Sequence, residues 1–367
     1  MIPTPHYSGR VTDDLPAPAE PGSTAYRRLL AGLFLAGVAT FAQLYSPQGL
    51  LPLVSADLGV PAHRAALLVA AATLGLAVSV VPWSLAGDRW GRRPVMAASL
   101  VTASALAVAG VLMPSLELLL GMRLLEGMAH GGVAGLAVTL LAEEVAPRVV
   151  PAAAGTYVAG TTLGGLSGRL LTLPVAEAAG WQAGMLVVTA VGVACTLGFL
   201  LVTPRARRFR PVRASVAQTA RRVRVHLATP ALVALYLQGA LLMGGFVALY
   251  NYVGYTLLAP PFSWSPTAAG LVFLAYLAGT WSSSRAGRLA MRVGRLRVLA
   301  GSAGLMAAAA ALTLVPHPTV LVPALVVATG AFFAAHAALR SRWSASSLES
   351  LTLSRLHSTS ARWLLGR

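Results

Sequence analysis

Three ionisable residues lie at helical spacing inside one long apolar segment. Arg123, Glu126 and His130 fall at positions i, i+3 and i+7, so an α-helix places them on one face. Ionisable groups at membrane depth are costly and normally face a cavity on a substrate or proton path. Glu126 and His130 are therefore candidate proton carriers, His130 because imidazole titrates near neutral pH. Arg123 is a candidate substrate-binding or coupling residue, and a purely structural ion pair with Glu126 is the alternative.

A second charged cluster is the seven-residue turn Gly87–Arg93, which reads Gly-Asp-Arg-Trp-Gly-Arg-Arg between two apolar runs. Each run has about 20 residues, enough to cross a hydrocarbon core of roughly 30 Å as a helix. Because arginine resists burial in lipid, the turn predicts an antiparallel helix pair connected at the cytoplasmic surface. Within it, Asp88 can form charge-assisted hydrogen bonds with Arg89 and Arg92. The alternative is that the arginines only set the topology.

The composition indicates a multi-pass membrane protein. Hydrophobic residues make up 56% of the chain and charged residues only 11%, whereas about 25% charged residues is typical of a soluble domain. Ten apolar runs are long enough to span a bilayer as helices, so the sequence predicts an all-α membrane fold. They are Leu29–Leu53, Ala65–Ala86, Pro94–Met113, Leu116–Leu141, Ala152–Val175, Gln182–Thr203, Ala231–Ala259, Thr267–Ala286, Val298–Val315 and Thr319–Leu339.

The net charge of +17 is distributed unevenly between the two sides of these runs. Twenty arginines lie on one side of these runs, before the first run, in alternate connectors or at the end of the eighth run, whereas the connectors on the other side hold Arg64 alone. Because cationic residues remain on the cytoplasmic side, this distribution predicts a cytoplasmic N-terminus, and some arginines can contact anionic lipid. The apolar runs exclude a soluble nucleic-acid-binding protein. The Pro-rich, unpatterned start of the chain predicts a disordered cytoplasmic tail over residues 1–26.

An internal repeat divides the predicted helices into two units. The Arg-x-Gly-Arg pattern of Arg89–Arg92 recurs in Arg292–Arg295 at an offset of 203 residues, each time between the second and third helix of its half. Parallel repeats of six-helix units are typical of membrane transporters. The predicted organisation is a tail, a six-helix bundle, a basic cytoplasmic linker, an incomplete four-helix bundle and a polar Ser/Arg/Leu tail. These segments are 1–26, 27–204, 205–230, 231–339 and 340–367.

Several motifs resemble those of the major facilitator superfamily. The family signature after the second helix is roughly Gly-x-x-x-Asp-Arg-x-Gly-Arg-Arg, and Ser84–Arg93 matches it except that serine replaces the first glycine. Arg123–Gly127 is similar to the family's Arg-x-x-x-Gly in helix 4, and Tyr157–Arg169 resembles its glycine-rich helix 5. Together with Tyr45–Pro52 in helix 1, these segments resemble a bacterial inner-membrane efflux branch of the family.

The resemblance implies a transporter in which two helical bundles rock about a midplane cavity. It implies a latch of the outward-facing state at the cytoplasmic turn, formed by Asp88, Arg89, Gly91, Arg92 and Arg93. Small residues of helix 5 are expected to pack closely and slidably between the halves, namely Gly160, Gly164, Gly165 and Gly168. Amide side chains of helices 1 and 7 are expected to line the substrate cavity, namely Gln43, Gln48, Gln238 and Asn251. Arg169, at the outer end of helix 5, is expected to snorkel towards the headgroups, and pairing with a carboxylate is the alternative.

The resemblance covers residues 27 to 338 and then stops. At the offset of 203, a full second half would reach about residue 406, whereas residues 340–367 carry scattered charge and no apolar run. We therefore expect a C-terminal truncation or a shifted reading frame, so that the major facilitator fold has about ten helices and an incomplete second bundle. The alternative is a genuine ten-helix protein with a cytoplasmic tail.

The sequence predicts a secondary active transporter that exports a small organic compound in exchange for protons. No nucleotide loop, paired cysteine ligands, His-Glu-x-x-His motif or nucleophile elbow is present, so no enzyme activity, catalytic residue, metal or cofactor is expected. The expected partners are the substrate, protons and the bilayer of the bacterial inner membrane, with the protein a monomer. A uniporter or symporter is an alternative, because Thr161 stands where the antiporter motif carries proline. A non-functional fragment is another.

Overall fold

The computed structural model describes residues 16–211 and 216–338, and this part of the chain is helical apart from its connectors and one isolated bridge between Ala19 and Val145. The predicted polar tail, residues 340–367, lies outside the described residues, as do residues 1–15 and 212–215. The chain divides into two compact units, Met1–Thr219 and Ala220–Arg367.

Unit 1 contains eight helices in its described part. They are α1 (Thr24–Tyr45), α2 (Pro47–Asp57), α3 (Ala62–Trp90), α4 (Arg92–Val111), α5 (Leu116–Glu144), α6 (Val150–Leu170), α7 (Thr172–Ala179) and α8 (Trp181–Val202), with a 3₁₀ turn at Pro147–Val149 before α6. Its core lies where α1, α4, α5 and α8 meet, and Leu33, Leu136 and Phe199 are among its fully buried members.

Unit 2 begins inside α9 (Val216–Leu227). The helices that follow are α10 (Pro230–Leu258), α11 (Pro266–Gly270), α12 (Tyr276–Val293), α13 (Arg295–Leu312) and α14 (Pro318–Ala338), with a 3₁₀ turn at Leu271–Ala275 between α11 and α12. An aromatic cluster fills its interior: the Phe246 ring of α10 stacks on Phe332 of α14 at a centroid distance of 3.9 Å. The Tyr250 hydroxyl is 2.6 Å from the Thr329 hydroxyl, which joins the same two helices.

Eight helical segments of the described residues are long and apolar enough to cross a membrane. They correspond to eight of the ten predicted spans: α1 with α2, α3, α4, α5, α8, α10, α13 and α14. The other two predicted spans are helical but interrupted, since α6 ends before α7 and a 3₁₀ turn separates α11 from α12. The helix α6 contains five glycines, which contribute no apolar side chain. The fold is an all-α, multi-pass membrane fold, as predicted.

The repeated glycine makes the same turn in both units. Gly91 ends α3 with φ +96° and Gly294 ends α12 with φ +92°, and in each case the next helix begins at the following residue. This left-handed region favours glycine because a Cβ would clash with the backbone. The sequence repeat therefore marks a turn that reverses the chain between two consecutive helices.

The end of the predicted disordered tail is ordered in this structure. Ser23 caps α1 by accepting a hydrogen bond from the Tyr26 N–H at 3.1 Å. The Ala19 N–H donates to the Glu144 carbonyl at 2.8 Å, and so satisfies an acceptor at the C-terminus of α5 that has no partner within its own helix. Composition predicted disorder through residue 26, whereas these contacts fix residues 19–26 against unit 1.

Candidate functional site

The centre of unit 1 is a break in the first predicted span. Proline at position 47 has no N–H, so the Gln43 carbonyl loses the donor that a continuous helix would supply from residue i+4. The chain divides there into α1 and α2 at Ser46. Ser46 compensates in part, because its hydroxyl donates to the Gln43 carbonyl at 2.9 Å. A break at membrane depth is stable only where neighbouring groups satisfy the exposed backbone.

Arg123 of α5 supplies much of that support. Its side chain is 1% exposed. Nη1 donates to the Gln43 carbonyl at 3.2 Å, Nη2 to the Leu44 carbonyl at 2.6 Å and Nε to the Leu68 carbonyl of α3 at 3.4 Å. A single guanidinium therefore binds α1 at its break and α3 at once. Sequence spacing placed Arg123 on the inner face of its helix but could not name these acceptors.

The predicted constellation on α5 is brought together inside unit 1. Arg123 Nη1 lies 2.7 Å from Glu126 Oε2, and His130 Nε2 lies 3.6 Å from Glu126 Oε1. Glu126 is 2% and His130 1% exposed. Glu126 Oε1 and both ring nitrogens of His130 have no hydrogen-bond partner among the described residues. One carboxylate oxygen of Glu126 is thus held by the Arg123 guanidinium, while the other faces the His130 ring.

Further unpartnered polar atoms lie on α1 near this centre. Both amide atoms of Gln43 and the Thr40 hydroxyl are buried without a hydrogen bond among the described residues. The Gln43 amide reaches α8 at Gly192, where a Cβ would be only 1.8 Å from Nε2, so glycine makes room for it. Leaving a buried polar group unsatisfied costs about 1–3 kcal/mol. Such groups call for an explanation such as a catalytic role or a bound water or ion.

The prediction that Arg169 snorkels is wrong. Its side chain is 2% exposed, Nε donates to Gln48 Oε1 of α2 at 2.7 Å, and Nη1 donates to the Gly165 carbonyl. The guanidinium carbon lies 4.2 Å from the centre of the Tyr45 ring. An amide, a carbonyl and an aromatic face thus replace the water that snorkelling would provide. Gly165 makes room for the guanidinium, since a Cβ there would lie 3.1 Å from Nη1.

The charged turn forms a network around Arg92. This buried side chain donates to Asp88 Oδ1 at 2.6 Å and to the Gly87 carbonyl at 2.7 Å, and its Nε lies 3.0 Å from Glu143 Oε1 of α5. Glu143 was not among the predicted residues. Its position at the end of the α5 apolar run, on the same surface as the turn, was the signal that could have found it. Arg89 is exposed and lies over the Trp90 ring.

Arg93, predicted as part of the latch, binds the C-terminal end of α8 in unit 1. It donates to the Thr203 carbonyl at 3.2 Å and the Leu200 carbonyl at 2.9 Å. Arg28 of α1 donates to the adjacent Val202 and Leu201 carbonyls at 3.0 and 3.2 Å. Cations at a helix C-terminus satisfy its last carbonyls and interact favourably with the helix dipole. Arg93 and Arg28 therefore cap α8.

The first residues of the basic linker pack on the same end of unit 1. Glu144 Oε1 accepts hydrogen bonds from the backbone N–H groups of Arg207 and Arg208, both at 3.0 Å. The Arg92 guanidinium lies over the Phe209 ring at 5.4 Å. Glu143 thus binds the turn at Arg92, whereas the neighbouring Glu144 binds the linker.

Removing the Arg92 side chain should destabilise this network measurably. We expect Arg92→Leu to lower the free energy of unfolding by about 1.5 kcal/mol, because it removes a hydrogen bond to Asp88 and an ion pair with Glu143, whose carboxylates remain partly buried. Thermal unfolding in detergent measures the change. Arg89→Leu is the matched control, since that arginine is exposed, and it should leave the melting temperature near that of the wild type. Equal effects of the two substitutions would contradict the network.

The small residues of α6 pack against α1 of the same unit. An added Cβ would be 2.4 Å from the Phe34 carbonyl oxygen at Gly160, 2.6 Å from that of Val38 at Gly164 and 2.3 Å from that of Ala42 at Gly168. The glycines therefore permit direct backbone contact between two helices. The sequence predicted close packing between the two halves, whereas the contacts of these three residues in unit 1 are with α1.

The four predicted cavity residues divide between the units. Gln43 and Gln48 lie at the break of unit 1, where Gln48 binds Arg169. Gln238 and Asn251 lie on α10 of unit 2, the first half-buried and the second buried. Their common role in one cavity stays a prediction.

Known proteins resemble this chain in sequence and in fold. The family model of the Major Facilitator Superfamily matches residues 33–262. The chain is 35% identical over 271 residues to the inner membrane transport protein YnfM of Escherichia coli K12, covering 74% of this chain and 65% of that protein. It is 32% identical over 271 residues to the uncharacterized MFS-type transporter YybF of Bacillus subtilis 168, covering 74% and 67%. The chain thus spans about two thirds of the length of these relatives.

Solved structures share the fold. A bacterial homologue of the human lysosomal transporter Spinster, in an inward-facing and unoccupied conformation, has a TM-score of 0.69 at 20% identity and covers 87% of this chain and 75% of its own. The xylose transporter XylE of E. coli, in a partially occluded inward-open conformation, has a TM-score of 0.67 at 12% identity, with coverage of 86% and 84%. At these identities the likeness shows the fold alone. On the family match and the sequence relatives, the chain belongs to the major facilitator superfamily of membrane transporters.

Proposed function

We propose that this transporter exports a small organic compound in exchange for protons, and that Glu126 carries the proton. The observation behind the proposal is the buried carboxylate itself, with one oxygen 2.7 Å from Arg123 and the other without a hydrogen-bond partner among the described residues. A carboxylate in this position can accept a proton on the free oxygen while the first oxygen remains bound. His130, 3.6 Å from that oxygen, is the neighbouring group for proton delivery.

Protonation of Glu126 changes the link between α5 and the break in α1. Neutralising the carboxylate removes the charge that holds Arg123, while the guanidinium still donates to the Gln43 and Leu44 carbonyls. The arginine is then free to follow α1 or to bind an incoming substrate. Protonation of a residue on α5 thereby changes the contacts at the break between α1 and α2. In alternating access, such a change biases the equilibrium between the two orientations of the bundles.

The proposed orientation puts the N-terminus, the Asp88–Arg93 turn and the basic linker in the cytoplasm, with the protein a monomer in the bacterial inner membrane. The arginine distribution supports this topology. The network of Arg92 with Asp88 and Glu143, at the same end as the linker, is suited to act as the cytoplasmic latch. Its ion pairs join α3, α4 and α5 of unit 1, so they fix the cytoplasmic surface of the first bundle.

Proton exchange is tested with the full chain in inverted membrane vesicles. We expect an exported cation such as ethidium, added to energised vesicles, to release protons and dequench a pH-sensitive acridine dye. The Glu126→Gln variant should lose this signal, because an amide cannot take up a proton. Glu117→Gln is the matched control on the same helix, since Glu117 is exposed and pairs with Arg64 at 2.6 Å. Proton release that persists in Glu126→Gln would overturn the assignment.

Uniport or symport on the same fold is the second candidate. It is favoured by Thr161, whose hydroxyl donates to the Val158 carbonyl at 2.8 Å within an uninterrupted α6, where a proline would remove a backbone N–H. The vesicle assay separates the modes, because symport moves protons with the substrate and uniport leaves the proton gradient unchanged.

A further inference from the structure

The helix α9 differs in composition from its neighbours. It lies directly before the membrane span α10, with only Ala228 and Thr229 between them. Its sequence contains three arginines and a histidine but no acidic residue. Strong positive charge without partners of opposite sign is typical of a surface that meets an anionic ligand.

Three apolar residues of α9 form one face of the helix. Ala220, Val223 and Leu227 recur at i, i+3 and i+7, which places them along one side of the helix. Val223 is 45% and Leu227 63% exposed. Arg224 lies beside this face and Arg221 lies behind it, and both are exposed. An apolar face with arginines on the rest of the helix surface is the pattern of a helix that lies in a membrane interface.

The direction of α9 is fixed at its junction with α10. The His226 Nδ1 atom lies 2.9 Å from the Tyr236 hydroxyl, and the two rings stack with centroids 6.5 Å apart. The Thr229 hydroxyl donates to the Val225 carbonyl at 2.8 Å and closes the last turn. These contacts hold α9 at the N-terminal end of a helix long and apolar enough to cross the bilayer. That end is where the headgroups of the adjoining leaflet lie.

We propose that α9 is a lipid-docking element that binds anionic phospholipid headgroups. Val223 and Leu227 insert between headgroups and acyl chains, while Arg221 and Arg224 bind the phosphates. The charge of α9 and its connection to a membrane span identify this ligand. At a negatively charged membrane surface, acyl chains can contact the apolar face while lipid phosphates bind the arginines. The inference is independent of transport direction and of proton coupling.

Docking is tested by spin labelling of the full chain in lipid nanodiscs. Cys195, the single cysteine of the chain, is replaced by alanine, and a nitroxide is attached in turn at Val223→Cys and Val225→Cys. Val225 is 56% exposed and lies on the opposite side of α9, so it is the matched control. In nanodiscs of phosphatidylcholine with one quarter phosphatidylglycerol, the label at 223 should be accessible to oxygen and shielded from a water-soluble nickel complex. The label at 225 should be accessible to the nickel complex and less accessible to oxygen.

The headgroup assignment is tested by removing charge. Each arginine near an anionic surface changes the docking equilibrium about five-fold, so Arg221→Gln and Arg224→Gln should each lower the docked-to-undocked ratio by that factor. Pure phosphatidylcholine should lower this ratio at least as far as the double variant does. Arg288→Gln with Arg297→Gln removes equal charge elsewhere in unit 2 and should change nothing.

Three results would overturn the proposal. Nickel accessibility at 223 in every lipid composition would mean that the face is in water. Shielding from both reagents would mean that protein covers it. Insertion that is indifferent to phosphatidylglycerol would mean that the arginines do not bind headgroups.

Discussion

The Arg123→Ala substitution should destabilise unit 1 by about 3–5 kcal/mol, because it leaves Glu126 as a buried charge without its ion-pair partner. The loss is increased by the Gln43 and Leu44 carbonyls, which accept hydrogen bonds from the same guanidinium. Each buried acceptor left without a donor costs about 1–3 kcal/mol. Because the break in α1 depends on this support, the damage should extend to the packing of α1 and α2. Thermal unfolding of the purified protein in detergent measures it.

A double variant separates the ion pair from the helix break. Replacing both charges, as Arg123→Met with Glu126→Met, removes the uncompensated charge and should recover much of the stability, since apolar pairs often substitute for buried ion pairs without loss. Recovery should remain incomplete because the two carbonyls still lack their donor. Transport should be absent in the double variant, because Glu126, the proposed proton carrier, has been replaced. If Arg123→Ala melted like the wild type, the guanidinium would not support the break.

The second large effect is expected at Gly127, where α5 crosses α3. A Cβ at this position would lie 1.9 Å from the Ala72 carbonyl oxygen, a backbone atom that cannot move alone. Gly127→Ala should therefore force the helices apart and lower the free energy of unfolding by about 3 kcal/mol, the upper part of the usual range for overpacking. Loss of transport should follow, because Glu126 and His130 flank this contact on α5.

The control for Gly127→Ala lies on the same helix. Gly121 has no atom within 4 Å of an added Cβ, and alanine is favoured over glycine in a helix by up to about 1 kcal/mol. Gly121→Ala should therefore melt at or slightly above the wild-type temperature. If both variants lost stability equally, the effect would arise from the helix itself and not from its contact with α3.

The chain's own pattern determined the membrane class, the helix positions and the face shared by Arg123, Glu126 and His130. These are local properties. A run of apolar residues needs a lipid or protein interior whatever surrounds it, and the helical period alone decides which residues of one segment point the same way. The turn at Gly91 and its repeat at Gly294 belong to the same class, since a φ near +90° favours glycine wherever it occurs.

Only the tertiary structure decided which helix faces which. Glu143 joins Asp88 at Arg92, Arg169 is buried against Tyr45 and Gln48, and the glycines of α6 meet α1. Apart from the Asp88–Arg92 pair, each of these contacts joins residues far apart in the chain, and no periodicity within one segment specifies the partner across the interface. The same limit applied to Arg123. Spacing found its ion pair with Glu126, three residues away, but the carbonyls that it holds in α1 and α3 depend on how three helices pack around a proline.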